Sequence, residues 1–193
     1  MSNEKVFFIR HNLIVPNDKT RTIKLLNEIW ERKMAVMDYE RVEDPSAFNP
    51  DHEKYSRRHV RSAIRRFRDL AQAGGFIAMV CNSAKPNQML LGKVSPSQPL
   101  KTTKFDSLPD YPFKAIKISE SKVVSLIQYP DLFSMLPRQT AFTEWYRGRD
   151  HFFSALKGLP RPAEVKSLSA GQLEILCYEY LRQTGKIQHL LLP

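Results

Sequence analysis

Only two cysteines occur in the 193 residues, Cys81 and Cys177, too few for a disulfide framework or a cysteine-based metal cluster. Both sit in apolar stretches, AMVCN and EILCYEY, where a buried free thiol is the expected outcome. The five histidines show neither HxxxH nor HExxH spacing, so no zinc site and no other metal or cofactor is expected. With seven glycines the chain has no glycine-rich phosphate loop, and it also lacks a nucleophile elbow. No apolar run reaches the 18 or so residues of a spanning helix, and the opening MSNEKVFF lacks the charged-then-apolar order of a signal peptide. A soluble, cytoplasmic protein is expected. Internal repeats and low-complexity segments are missing as well. Acids are scarce: 20 against 30 basic residues, for a net charge of +10 and a pI near 9.7. That balance fits a nucleic-acid partner without proving one.

What the chain does have is one helix with two opposite faces, Ser56 to Ala73. At about 100° per residue, Arg57, Arg58, Arg61, Arg65 and Arg68 fall within an arc of roughly 100°, with Val60, Ile64, Phe67, Leu70 and Ala71 on the far side. A solvated face needs charge but not charge of one sign, and mixed rows with i,i+4 pairing are the common solution. Here Asp69 is the sole acid in the helix body. Arginine pairs bidentately with phosphate and is weakly hydrated, so this face points to a polyanion; the competing reading is a merely solvated face.

The pattern along the chain predicts a strand over Val6–Arg10, a helix from about Thr20 to Arg32 with Ile23, Leu26 and Trp30 in register, and a strand over Met34–Tyr39. A long polar loop follows, Glu40 to Tyr55, then the arginine helix, stopped by Gly74-Gly75. Phe76–Asn82 and Met89–Val94 form a hairpin around SAKPNQ, with Gly92 as a bulge or a close approach. Lys114–Ile118 and Lys122–Tyr129 are two more strands. Beyond Pro130 the pattern suggests irregular structure and one short helix. GLPRP at 158–162 is a linker, and Ser169–Thr184 is a last helix with Leu173, Leu176, Cys177, Tyr180 and Leu181 on one face. The apolar end IQHLLLP suggests either that a second domain begins there or that a terminal edge strand docks on this one. The chain therefore divides into a domain over 1–157, a linker over 158–168 and the opening of an effector domain over 169–193. The fold class expected is mixed α+β.

Order and motifs together carry a resemblance. Strand, helix, strand, polar loop and basic helix, followed by GGFIAMVCN and LLGKVSPSQ, resemble the PUA-like group of small curved β-barrels that includes the EVE and YTH domains, over about Lys5 to Tyr129. LSAGQLEILCYEYLRQTG resembles the opening helix of Mrr-like restriction nuclease domains of the PD-(D/E)xK class, with Glu174 as its acidic residue. The resemblance implies a domain that reads a modified, flipped base in DNA for a restriction or defence nuclease. The catalytic carboxylates would lie beyond Pro193, so this chain would bind and not cut. It also places His11 and Asn12 beside the base-binding opening.

Such a pocket needs aromatic walls and fixed polar groups, because unstacking a base costs a few kcal/mol. Candidate walls are Trp30, Tyr39, Phe48, Tyr55 and Trp145, with Tyr146 beside the last. Core packing competes for Trp30, a staple on the arginine helix for Tyr55, and an edge plug for Trp145. Asp38, polar within MAVMDY, is either at a strand end or set to read a base edge. The phosphate face comprises Arg57, Arg58, Arg61 and Arg65, extended by Lys93, Arg147 and Arg149. Rival classes are a sequence-independent nucleic-acid binder, a module for an acidic protein partner, and an enzyme built on Asp38 with Glu40, or on Lys93 with Asp38 or Asp44. No ExK or DxxxK arrangement supports the last.

Overall fold

VFFIR is an unbroken apolar run, and in the computed structural model it is the strand β1 (Val6–Arg10), buried on both faces. The structure describes residues 4–12, 15–137, 141–159 and 170–183. β1 leads into α1 (Lys19–Glu31), capped by the Asp18 carboxylate, which accepts from the Arg21 amide at 2.7 Å. β2 (Met34–Met37) follows, then a loop with a 3-10 turn over Ser46–Phe48, α2 (Arg58–Ala73), β3 (Gly75–Val80) and β4 (Gln88–Val94). Next come β5 (Thr102–Phe105), β6 (Leu108–Lys117), β7 (Glu120–Ser125), α3 (Pro130–Ser134), β8 (Phe142–Glu144), α4 (Arg149–Leu156) and α5 (Ala170–Gln183). The fold is mixed α+β.

Among the described residues the strands form two sheets and no closed barrel. One runs β7-β4-β3-β1-β8 and the other β2-β6-β5. β1 pairs in parallel with β3 and antiparallel with β8, so β1 lies inside its sheet, which explains its two-sided burial. The two faces of this sheet hold two cores. Phe7, Ile9, Ile77 and Met79 face α1, α2 and the second sheet, while Val6, Phe8, Ala78 and Val80 pack with Trp145, Phe152 and Ala155. Residues after Tyr129 thus complete the second core. The β3–β4 hairpin has regular register, Gly75 opposite Val94 through Met79 opposite Leu90. Gly92 marks a close approach and not a bulge: a Cβ there would stand 2.3 Å from Ile118 Cγ2 and 2.6 Å from the Glu120 carbonyl oxygen.

Beyond Pro130 the expected irregular segment holds two short helices and β8. The one short helix expected there understates it, because β8 has only three residues and no room to show a period. α5 packs against α3. Leu173, Leu176, Tyr180 and Cys177 are exposed on it, so the expected buried thiol holds for Cys81 but not for Cys177. The expected linker residues 160–168 and the terminal IQHLLLP lie outside the described residues. No described helix is long and apolar enough to cross a membrane.

Candidate nucleic-acid interface

α2 divides as its sequence requires. Val60, Ala63, Ile64, Phe67, Leu70 and Ala71 are buried, and Arg57, Arg58, Arg61, Arg65 and Arg66 are exposed. Among the described residues, no carboxylate comes within ion-pair distance of these five arginines. Arg68 is the exception within the expected row: it borders the apolar stripe, is half-buried, and has its Nε 3.8 Å from Asp69. The helix begins without a side-chain cap, with Arg57 at the N-cap and no acid in the first turn.

α2 starts at a cleft. Asp38, Tyr39, Glu40, Arg41, Lys54, Arg57, His59, Val60 and Tyr111 line a space of about 510 Å³ whose basic side chains outnumber its acids. Asp38 and Tyr39 also belong to a narrower cavity of about 190 Å³, walled by the end of β1 (Ile9, Arg10, His11, Asn12), the end of β2 (Val36, Met37) and Ala141-Phe142. The wide cleft and the narrow cavity thus share two lining residues at the seam between the two sheets.

Polar groups at this seam are fixed. Asp38 stands just past the end of β2, exposed as a residue, with its carboxyl turned to the Tyr111 hydroxyl. Loss of water around that carboxyl raises its pKa, against the hydrogen bond from Tyr111 and the charges of Lys114 and Arg41. Tyr111 is pushed up to about 12, by burial first and then by Asp38. The Arg41 guanidinium lies 4.8 Å from the Tyr111 ring centre. Beneath them the fully buried Lys114 donates to the carbonyls of Tyr39 and, at 3.2 Å, Glu40, with its ammonium 5.4 Å from the Tyr55 ring. Burial lowers Lys114 to about 8, opposed by Asp38 and Glu40. On the other wall His11 is 1% exposed and its Nε2 has no hydrogen-bond partner among the described residues; burial lowers its pKa to about 4.

Several expected site residues lie elsewhere. Trp30 is a core residue of α1. Phe48 stacks on Phe67 with ring centres 6.2 Å apart, under α2. Tyr55 is 1% exposed and donates its hydroxyl to the Ala47 carbonyl at 2.8 Å. Trp145 is buried, donates Nε1 to the Met135 carbonyl at 2.8 Å, and packs so tightly on Gly148 that a Cβ there would sit 2.0 Å away. These four rings are structural walls, with no face left for a base. Lys93 pairs with Glu120 at 4.0 Å, and its cross-strand partner Phe76 belongs to the face opposite α2, so Lys93 is not in line with the arginines. Arg147 is exposed and Arg149 half-buried, both near the turn after β8. Tyr39, Asp38, His11 and Asn12 do converge on one cavity. Sequence reasoning missed Lys114 and Tyr111. A lysine between Phe113 and Ala115 in a strand with four consecutive buried residues is the one signal it offered.

No family model, no curated protein and no solved structure matches this chain.

Proposed function

We propose that the protein is a DNA-reading domain, in which the arginine face of α2 holds the phosphate backbone and the cavity at the seam receives a base turned out of the stack. The observation that carries this reading is the position of Arg57: it lines the cleft that shares Asp38 and Tyr39 with the narrower cavity. The row of unpaired guanidinium groups therefore begins where a base could leave the duplex. Phosphate contacts supply affinity and position, and the cavity supplies discrimination. Tyr39 offers the aromatic surface, and the Asp38 carboxylate accepts from a base amino group.

The finer architecture proposed is PUA-like, of the EVE/YTH kind, with α5 as the first helix of a restriction-type effector carrying Glu174. Support for this is the chain order of strand, helix, strand, loop and basic helix, which the fold keeps.

The test is binding to matched duplexes differing in one base, unmodified, N6-methyladenine, 5-methylcytosine or 5-hydroxymethylcytosine, at about 50 and 200 mM salt. A preference that persists at the higher salt supports the reading. Equal binding of all four that collapses with salt reduces it to sequence-independent attachment, and an absence of binding removes it.

A further inference from the structure

Tyr146 is 73% exposed, more than any other large hydrophobic side chain among the described residues. Glu144, whose charge is met by Lys5 at 3.9 Å, and the Arg66 guanidinium are both near enough to act on its hydroxyl electrostatically. Arg147 follows it in the chain and is exposed. A ring with open faces beside guanidinium groups has the composition of a stacking platform for nucleic-acid bases.

Its place in the fold relates it to the cleft. β8 runs antiparallel to β1, with Phe142 opposite Ile9 and Glu144 opposite Phe7, so it begins at the cavity and Tyr146 lies past its far end. α2 runs the same way, since its last turn delivers Gly75 and Phe76 beside Lys5 at the start of β1. Arg57 is thus at the cleft and Arg66 is nine residues further, about 13 Å along the axis and half a turn round it. Arg58, Arg61 and Arg65 lie between them on the outer face. A strand crossing that face from one to the other spans at least roughly four stacked nucleotides at about 3.4 Å each.

We propose that Tyr146 is a second base-binding site, a platform for an unpaired base of the strand that runs along α2 from the cleft. The partner at this end is then single-stranded or locally opened nucleic acid. Any base suits it, because stacking uses the π-face and not the hydrogen-bonding edge. This inference rests on the function proposed above.

The experiment compares wild type, Tyr146→Ala and Tyr146→Phe for binding fluorescent twelve-residue oligothymidine at about 50 and 200 mM salt, with thermal unfolding as a control. Tyr146→Ala is expected to weaken binding roughly tenfold at both salts, since loss of one stacked base removes no counterion release. Tyr146→Phe, which keeps the ring, is expected to bind within about twofold of wild type. Wild-type affinity in Tyr146→Ala, or equal losses in Ala and Phe variants, overturns the platform and leaves the cleft reading standing. An absence of wild-type binding to both this oligonucleotide and the matched duplexes overturns both.

Discussion

The ammonium of Lys114, with no exposed surface, holds the main-chain carbonyl of Tyr39. A strand of the smaller sheet thereby fixes one of the two residues common to the cleft and the cavity, and Glu40, at φ 49°, is gripped by the same group. Burial sets the folded pKa near 8, against 10.5 for an ordinary lysine. Between those values the unfolded chain holds a proton that the folded chain has released. Stability therefore rises as pH climbs from about 8 to 10.5, by up to about 3 kcal/mol. Lys114→Met is expected to lose that rise. Urea unfolding of both proteins at pH 7.5, 9 and 10.5 checks it, and parallel profiles would refute it.

His11 gives the opposite limb. It is neutral in the fold, at about 4 against an ordinary 6.5, so acidification protonates the unfolded chain first. Stability is expected to fall as pH drops from 6.5 towards 4, by up to about 3 kcal/mol, with the slope flattened in His11→Gln. Chemical denaturation at pH 7, 5.5 and 4.5 measures this directly.

Buried and cleft aromatics should separate in a paired experiment. Trp30→Ala opens the core of α1 and is expected to cost about 3–5 kcal/mol. Tyr39→Ala, half-buried at the seam, is expected to cost under about 2 kcal/mol while abolishing discrimination among the matched duplexes. Stability loss of core size in Tyr39→Ala with unchanged discrimination would place Tyr39 with the structural rings.

Charge changes on the two sides of the large sheet should differ too. Arg58→Ala with Arg61→Ala is expected to lower the salt slope of DNA binding by roughly two, with less than about 0.5 kcal/mol lost in stability. Lys93→Ala, across the sheet and paired with Glu120, is expected to leave the slope unchanged. Equal effects from both would remove the arginine face as the phosphate track.

The thiols differ in a way a colorimetric thiol reagent reads within minutes. Cys81 is buried and pushed up to about 12, whereas Cys177 is exposed. One equivalent is expected to react in the native protein and the second only in denaturant. Two fast equivalents would contradict the burial of Cys81.

Long, strongly patterned elements were legible in the sequence. β1 was expected over the residues it occupies, and the faces of α2 followed from 3.6-residue spacing alone. β5 and β8, at four and three residues, are too short to show a period, and β8 pairs with β1 at the far end of the chain. Aromatics failed for a related reason. Phe48 and Tyr55 lie in a loop by sequence, but that loop folds under α2 and buries them, so chain position was a poor guide to exposure. Lys114 was illegible because its partners are main-chain carbonyls 74 and 75 residues away, which no side-chain pattern encodes.

The first turn of α2 has a thermodynamic corollary. An arginine occupies the N-cap where serine or aspartate would be worth about 1 kcal/mol, and the following guanidinium groups crowd the positive end of the helix dipole. The folded protein without a polyanion is therefore held at a higher free energy than its packing requires. Under the proposed function, a multivalent anion bound at this turn would relieve that stress and shift the folding equilibrium by mass action. Fold stability and ligand affinity are then two readings of one linked free energy, and redesigning the turn to strengthen the first would weaken the second.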